Sequence, residues 1–285
     1  TQHDKRLGAA TVMIMDNTFR TKLREGKPTV GTHFMSSDPD LPEIIGDTAL
    51  YDYGEFGAEY SVFDMQLLYH MARSGQCSNL PLMIKPDQKS ESFWAQAALG
   101  AGFKAVLFTD IRTPDDIIRC HQAIRPDMPG DEGHMGVKLR RPALSGYSDK
   151  DPDVKGSQAY VDDLKSIVFL IMIEKNVSVE NIDEILSTAK EYGVDMTQWG
   201  PADYGFSRGN PDLMHTSEIR PAEELVIRKS IEYGIHPRIE MGGPESAKRY
   251  IDLGVRHFCV GWDRFFYKSS LIEVGEGMQK VLEPL

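Results

Sequence analysis

The sequence predicts a single-domain (β/α)8 barrel of the TIM type over residues 1–285. Eight short apolar, β-branched runs alternate with longer amphipathic stretches, which is the pattern of strands and helices in series. The length agrees, because 285 residues lie close to the roughly 250 that are typical of such barrels. A doubly wound sheet is the alternative, but Gly31 in the first run is followed by Thr-His-Phe-Met and not by a G-x-G-x-x-G turn.

The predicted strands follow one another at intervals that leave room for a helix between most of them. Residues 167–173 are uniformly apolar, as expected of a parallel strand that is covered on both faces. The eight runs are residues 29–33, 48–53, 82–85, 105–108, 168–174, 196–199, 238–240 and 257–260.

The stretches between the runs carry helical periodicity. After the fifth run we predict a helix that is capped by Ser178 and ends at Gly193. Another begins at Pro244 and closes at Gly254 before the eighth run. The apolar positions on one face of the first helix are Val179, Ile182, Leu186 and Ala189. The last segment carries an apolar stripe of its own at Leu271, Val274, Met278 and Val281.

One stretch, residues 125–163, breaks this rhythm. It combines several prolines and glycines with charged residues, and a structureless loop of that length is rare unless it is functional. We therefore predict an insertion over one barrel mouth that is partly helical near its end. His134 and Arg140 in this stretch are candidates for a lid over the site.

The composition excludes several classes of function. With 32 Lys and Arg against 43 Asp and Glu, the formal net charge is −11, and no basic run is longer than Arg140-Arg141. Nucleic acids and anionic membranes are therefore not expected as partners, because binding them draws on clustered positive charge. The three cysteines are far apart and odd in number, which predicts reduced thiols in a cytoplasmic protein.

The candidate reactive groups are the polar residues at the C-terminal ends of the predicted strands, because these ends converge on the mouth of a barrel. Glu174 ends an apolar strand, so it must be solvated, paired or bound to a cation. Asp203 follows the sharp Gly200-Pro201 turn. Two carboxylates from neighbouring strands suit Mg2+ or Mn2+, although each alone is also typical of a salt bridge or a turn. The full set is His33, Glu55, Lys85, Asp110, Glu174, Asp203, Glu240 and Asp263.

Several motifs occur in the order found in one known family. They are residues 17–31, Gly54-Glu55, Ile171-Met-Ile-Glu174, Gly200-Pro-Ala-Asp203, residues 247–254 and Val260-Gly261. In these motifs the chain resembles the HpcH/HpaI metal-dependent 2-oxo-acid aldolases of the 4-hydroxy-2-oxoheptanedioate type. The resemblance implies a phosphoenolpyruvate/pyruvate-type barrel and a homohexamer with exchanged C-terminal helices. It also implies Mg2+ or Mn2+ at Glu174 and Asp203, and a 2-oxo acid and an aldehyde as substrates.

The chain departs from the family pattern around the metal pair. Phe56 stands where the family has its acid/base histidine, and Gly100 where the aspartate orients that histidine. Lys85 replaces an arginine that polarises the substrate carbonyl. Met172 replaces a glutamine, and Lys138-Leu139 replaces Arg-Gly. The sequence suggests His33 as a relocated acid/base, with packing at the rim as the alternative.

The remaining roles follow from this resemblance. Lys85 would hold the developing oxyanion as a point charge. Glu55 would bind metal-ligated water, or form a salt bridge to Lys85 or Lys138. The Gly200-Pro201 turn would expose the N–H groups of Ala202 and Asp203 to a substrate carboxylate. Trp199 and Phe56 are expected to line the pocket.

The sequence thus predicts a carbon–carbon lyase that acts through a pyruvate-derived enolate. Two alternatives remain open at this stage. One is a metal-dependent decarboxylase, or another enolate enzyme, acting on an oxaloacetate-like acid, and the other is a non-catalytic binder of metal and 2-oxo acid.

Overall fold

The computed structural model describes residues 15–136 and 157–285. Within them, eight parallel strands hydrogen-bond in chain order and close on each other, with β1 beside β8. This confirms the predicted (β/α)8 barrel. The strands are β1 Thr29–Phe34, β2 Tyr53–Phe56, β3 Leu82–Ile84, β4 Ala105–Phe108, β5 Val168–Ile173, β6 Met196–Trp199, β7 His236–Met241 and β8 His257–Trp262.

Helices surround the barrel and connect its strands. They are α1 Thr18–Arg24, α2 Leu41–Asp47, α3 Met65–Cys77, α4 Glu91–Ala101, α5 Pro114–Ile124, α6 Ser157–Ser166, α7 Asn176–Glu180, α8 Ile182–Glu191, α9 Pro201–Ser207, α10 Arg220–Glu232, α11 Ala247–Asp252 and α12 Asp263–Leu282. In the described ranges, no helix combines the length and apolar character that crossing a membrane requires.

Seven strands lie where the sequence predicts them, and the second does not. The predicted run 48–53 is mostly apolar, but Thr48 caps the C-terminus of α2, Ala49 has a φ of 56° and Leu50 is 75% exposed. The strand begins only at Tyr53. The predicted cap at Ser178 is also wrong, because Ser178 lies inside α7, whereas Gly193 follows α8 with a φ of 70°, as a terminating glycine should.

The stretch predicted as an insertion is described only at its two ends. Pro126 and Met135 form an isolated bridge, and α6 provides the expected helix near the end. His134 donates its backbone N–H to Gln122 near the end of α5. Since a helix after a parallel strand runs back along the barrel, this end lies opposite the mouth, which does not favour His134 as a lid. Lys138 and Arg140 lie outside the described residues.

The lower half of the barrel interior is apolar and is closed by α1. The Phe19 ring stacks on that of Tyr53 with centroids 4.4 Å apart, and both side chains are fully buried. Gly31 makes room for this pair, because a Cβ there would lie 2.1 Å from the Tyr53 ring. Above this apolar layer lies a polar layer, which consists of Glu55, Gln198, Arg238 and Glu240.

The C-terminal helix α12 leaves the barrel with its apolar side chains uncovered. Leu271, Val274, Met278 and Val281 are all more than half exposed. A groove of about 430 Å3 lies beside its first turns, between β1 and α2, and its lining is mostly apolar, including Leu41, Ile44 and Phe266.

Candidate active site

A cavity of about 320 Å3 opens at the C-terminal ends of the strands. It brings together most of the residues predicted for the site, and it leaves His33, Glu55, Asp110 and Asp263 out of its lining. Those that line it are Lys85, Glu174, Trp199, Gly200, Pro201, Ala202 and Asp203. Glu240, which is also in the predicted set, lines it as well, together with Gln198, Met172 and Trp262.

Glu174 directly follows β5 and is buried at the edge of this cavity. Its Oε1 accepts a hydrogen bond of 2.7 Å from the backbone N–H of Asp110. A Cβ at Gly200 would lie 2.6 Å from Oε2, so only glycine lets this carboxylate take its position. Burial raises the pKa of Glu174 to about 7, although the Asp110 hydrogen bond and the Lys85 charge oppose this.

Asp203 lies in the first turn of α9, which begins immediately after β6 and Gly200. Its side chain is 42% exposed, and its Oδ1 accepts a hydrogen bond of 2.6 Å from Lys175 Nζ. The same ammonium group is 3.0 Å from Asp110 Oδ1. Ala202 and Asp203 are first-turn residues, so their backbone N–H groups have no acceptor within the helix.

Lys85 provides the positive charge of the cavity. Its Nζ lies 3.0 Å from Glu59 Oε2 and 5.0 Å from the centroid of the Tyr60 ring. Burial alone would lower the pKa of Lys85, but the negative charge of Glu59 and the other nearby acidic groups raise it above its ordinary value. Lys85 is therefore a permanent cation at neutral pH.

The sequence reasoning missed Arg238, which lies fully buried at the centre of the polar layer. Its Nε donates to the Tyr53 hydroxyl at 2.7 Å, and its two terminal nitrogens donate to Gln198 Oε1 and Glu55 Oε2. Glu55 is thus held by Arg238, whereas Lys85 pairs with Glu59. Lys138, the other partner considered from the sequence, lies outside the described residues. The available signal was the spacing of Arg238 and Glu240 in β7, which points both side chains into the barrel.

His33 lies behind Glu240 and does not line the cavity. Its Nδ1 is 3.1 Å from Glu240 Oε1, and a Cβ built on Gly57 would lie 2.5 Å from its Nε2. Burial would lower the pKa of His33, but the hydrogen bond with Glu240 and the charges of Glu55 and Glu240 raise it. One ligand atom each of His33, Glu55 and Glu240 lie within 4.8 Å of one another.

Of the two aromatic residues expected in the pocket, only Trp199 lines the cavity. Trp199 lines the cavity and packs against Tyr204, with ring centroids 4.9 Å apart. Phe56 is fully buried on the outer face of β2 and makes an edge contact with Phe63 at 5.5 Å. The expectation that Phe56 lines the pocket is therefore wrong. The alternation of side chains along β2 explains this, because Glu55 takes the inward position.

A closed parallel barrel whose carboxylates and lysine converge on a cavity at the strand C-termini defines a TIM-barrel enzyme. Comparison with known proteins identifies the family. The model of the HpcH/HpaI aldolase/citrate lyase family matches residues 64–262, which is more than half of the chain. The chain belongs to this family, and it is a carbon–carbon lyase of the aldolase type.

Individual relatives agree with this assignment. A 2-keto-3-deoxy-L-rhamnonate aldolase of Shigella boydii serotype 4 (strain Sb227) is 27% identical over 258 residues, which cover 90% of this chain and 91% of the relative. Among solved structures, an HpcH/HpaI aldolase/citrate lyase family protein from Burkholderia cenocepacia J2315 has a TM-score of 0.78 at 22% identity, covering 94% of this chain and 100% of the other. An HpcH/HpaI aldolase from Desulfitobacterium hafniense DCB-2 has a TM-score of 0.76 at 19% identity, covering 93% and 96%. At these identities the two structures show the shared fold.

Proposed function

We propose that this protein is a metal-dependent aldolase that forms or cleaves a bond to a pyruvate-derived enolate, with Mg2+ or Mn2+ held by Glu174 and Asp203. The observation that carries the proposal is that both carboxylates line one cavity at the barrel mouth together with Lys85. Carboxylate oxygens with room for water and substrate are what these hard ions prefer.

The donor set fits a cation in its local chemistry. Asp203 already forms an ion pair with Lys175. If a metal ion binds Asp203, Lys175 can keep Asp110 as its partner. Glu174 uses one oxygen for the Asp110 N–H, and the other lies against Gly200, beside the cavity.

The groups around this pair suit a 2-oxo acid. The free N–H groups of Ala202 and Asp203 would receive its carboxylate. Lys85 would stabilise the oxyanion as a point charge, and Trp199 would form an apolar wall. When bound, the metal supplies Lewis-acid stabilisation of the enolate oxygen. The substrate named for the Shigella relative, a 2-keto-3-deoxy acid, belongs to the same chemical class.

A second candidate is decarboxylation of an oxaloacetate-like acid. One observation favours it: the described lining of the cavity contains no histidine. Loss of CO2 generates the enolate without a general base, so this reaction would need only the metal pair and Lys85. Release of CO2 from oxaloacetate, together with no exchange or aldol activity on pyruvate, would favour this candidate.

Metal binding can be tested at the two carboxylates separately. We expect Glu174→Gln and Asp203→Asn each to weaken Mn2+ binding in calorimetric titration by about tenfold or more, because each removes one charged ligand. Both variants should also lose pyruvate-forming turnover. The control Asp212→Asn removes an exposed carboxylate outside the cavity and should bind Mn2+ like the wild type. Unchanged Mn2+ affinity in both site variants would contradict the proposal.

We propose that the chain forms a homo-oligomer by exchanging α12, as a hexamer by family resemblance. The exposed apolar stripe of α12 and the apolar groove beside β1 support this, because such surfaces on a single chain usually mark an interface. Leu271→Glu combined with Val274→Glu should yield monomers in light scattering. Lys268→Glu, an exposed charge change on the same helix, should not. A monomeric wild type would contradict the proposal.

We also propose a cytoplasmic location, which is supported by the three cysteines. Cys77, Cys120 and Cys259 are all free thiols, as the sequence predicts.

A further inference from the structure

We infer that Glu240 is the acid/base residue of the reaction, and that His33 and Gln198 are the residues that position it. This inference rests on the proposed aldolase function and assigns its proton transfer, for which the family histidine is absent at Phe56. In the family pattern a histidine is the acid/base residue and an aspartate orients it. Here the Glu240 carboxylate faces the substrate cavity, and the His33 imidazole lies behind it and orients it.

Glu240 is fixed from two sides and open on a third. Its Oε1 is 3.1 Å from His33 Nδ1, and its Oε2 accepts a hydrogen bond of 3.1 Å from Gln198 Nε2. Its side chain remains 38% exposed and lines the same cavity as Glu174 and Asp203. A carboxylate held in one orientation with free lone pairs towards a substrate cavity has the geometry of a general base.

His33 cannot take this role directly in the observed arrangement. Its Nδ1 faces Glu240, and its Nε2 is buried against Gly57, where it has no partner among the described residues. Neither nitrogen is open to the cavity. His33 can, however, donate Nδ1–H to Glu240 and stabilise its ionised form.

A second set of contacts locks the other side of Glu240. Arg238 donates to Gln198 Oε1, so the Gln198 amide must direct its NH2 group towards Glu240. The same guanidinium neutralises the buried Glu55. The position of Glu240 is thus determined by a network that is buried below the cavity.

The charges around Glu240 favour a carboxylate at neutral pH. The charged groups that change the pKa of Glu240 are His33, Arg238 and Lys85. Glu55 acts on the pKa of His33, and Glu240 in turn raises the pKa of the Cys259 thiol. Burial opposes ionisation, but the hydrogen bond from His33 and the positive charges of His33, Arg238 and Lys85 lower the pKa of Glu240.

A cation between His33, Glu55 and Glu240 is the competing interpretation of the same cluster. The structure favours the proton over the cation, because Arg238 already neutralises Glu55 and Lys85 adds a further positive charge nearby. A metal ion there would also have to displace the proton of His33, which its acidic neighbours hold by raising the His33 pKa.

The step balances without any further reactant. In the direction of synthesis, Glu240 removes one C3 proton from bound pyruvate, and the C–H electron pair becomes the enolate. C3 then attacks the aldehyde carbon, and Glu240 returns the proton to the aldehyde oxygen. The product is a 4-hydroxy-2-oxo acid, and cleavage follows the same steps in reverse.

The test separates enolate formation that needs a base from enolate formation that does not. Exchange of the pyruvate methyl protons in D2O with Mg2+ needs the base, and it can be followed by NMR without knowing the aldehyde. We expect Glu240→Gln to slow this exchange by about a hundredfold or more, in the range typical of a lost general base. Oxaloacetate decarboxylation and Mn2+ affinity should stay within about threefold of the wild type.

Further variants distinguish positioning from structure. Acetate should restore exchange to Glu240→Ala, since a small carboxylate can enter the space that is left. His33→Gln keeps a donor but removes the charge, so the pKa of Glu240 should rise and the acidic limb of the exchange rate should move to higher pH. Glu245→Gln, an exposed change of the same type just beyond β7, should behave as wild type.

The possible failures are distinct. Exchange at the wild-type rate in Glu240→Gln, or loss of decarboxylation and Mn2+ affinity to the same extent as exchange, overturns the inference, and the second result would indicate the cation site. A wild type that neither exchanges pyruvate nor decarboxylates oxaloacetate with Mg2+ overturns the proposed function and the inference with it.

Discussion

Replacing Arg238 by methionine should destabilise the protein strongly, because Arg238 is the fully buried centre of the polar layer. Methionine keeps an unbranched side chain of similar length, so little cavity is created. The loss is instead electrostatic, since the buried Glu55 carboxylate loses its charged partner.

The structure allows the magnitude to be estimated. Arg238 donates to three side chains, Tyr53, Gln198 and Glu55, and the last is a charged pair with no exposed surface. Removing one partner of a buried ion pair typically costs about 3–5 kcal/mol. We therefore expect Arg238→Met to lower the free energy of unfolding by about that amount, which is a large part of the 5–15 kcal/mol that is typical of a whole domain.

The assay is urea unfolding followed by circular dichroism, with all variants at one protomer concentration because an oligomer links stability to concentration. The double variant Glu55→Met with Arg238→Met removes both charges and should recover at least about 2 kcal/mol, since an apolar pair can replace a buried ion pair at little loss. A single variant that loses less than about 1 kcal/mol, or a double variant no more stable than the single one, would refute this reasoning.

Two further predictions concern stability away from the polar layer. Gly31→Ala places a Cβ 2.1 Å from the Tyr53 ring and should lower the free energy of unfolding by about 1–3 kcal/mol. Gly136→Ala, with no atom of the described residues within 4 Å of its Cβ, should have little effect in the same urea titrations, and equal losses would contradict the packing argument. Burial raises the pKa of Glu91 from 4.5 to about 7, so the folded state binds this proton more tightly than the unfolded state does. The stability that this proton contributes is lost as the pH rises from about 4.5 to about 7. After allowance for solvent screening, Glu91→Gln should therefore stabilise the protein by about 1 kcal/mol at pH 8 and much less at pH 5, and a gain independent of pH would argue against this cause.

The barrel could be predicted from the sequence because strand and helix patterns are local. The second strand was misplaced because an apolar run does not reveal a left-handed residue such as Ala49, which turns the chain before the strand begins. The apolar stripe on α12 was visible in the sequence, but whether it is covered depends on contacts that no periodicity encodes.

Several residues that line the cavity could be predicted because they follow strands along the chain. Glu174, Asp203 and Lys85 follow strands, and the rule that strand C-termini form the mouth brings them together. The pairing of Arg238 with Glu55 joins positions 183 residues apart across the barrel, and no spacing in the sequence indicates it. The same holds for the contact that turns His33 from a candidate base into the partner of Glu240.

A crystal soaked with Mn2+ and oxalate shows whether Glu174 and Asp203 hold a metal ion. Anomalous scattering should place one Mn2+ ion between Glu174 and Asp203, with oxalate on its open side and a carboxylate of the ligand near the Ala202 and Asp203 N–H groups. An ion bound by His33 and Glu240 instead, or no ion at the Glu174 and Asp203 carboxylates, would show that these two carboxylates are not the metal site.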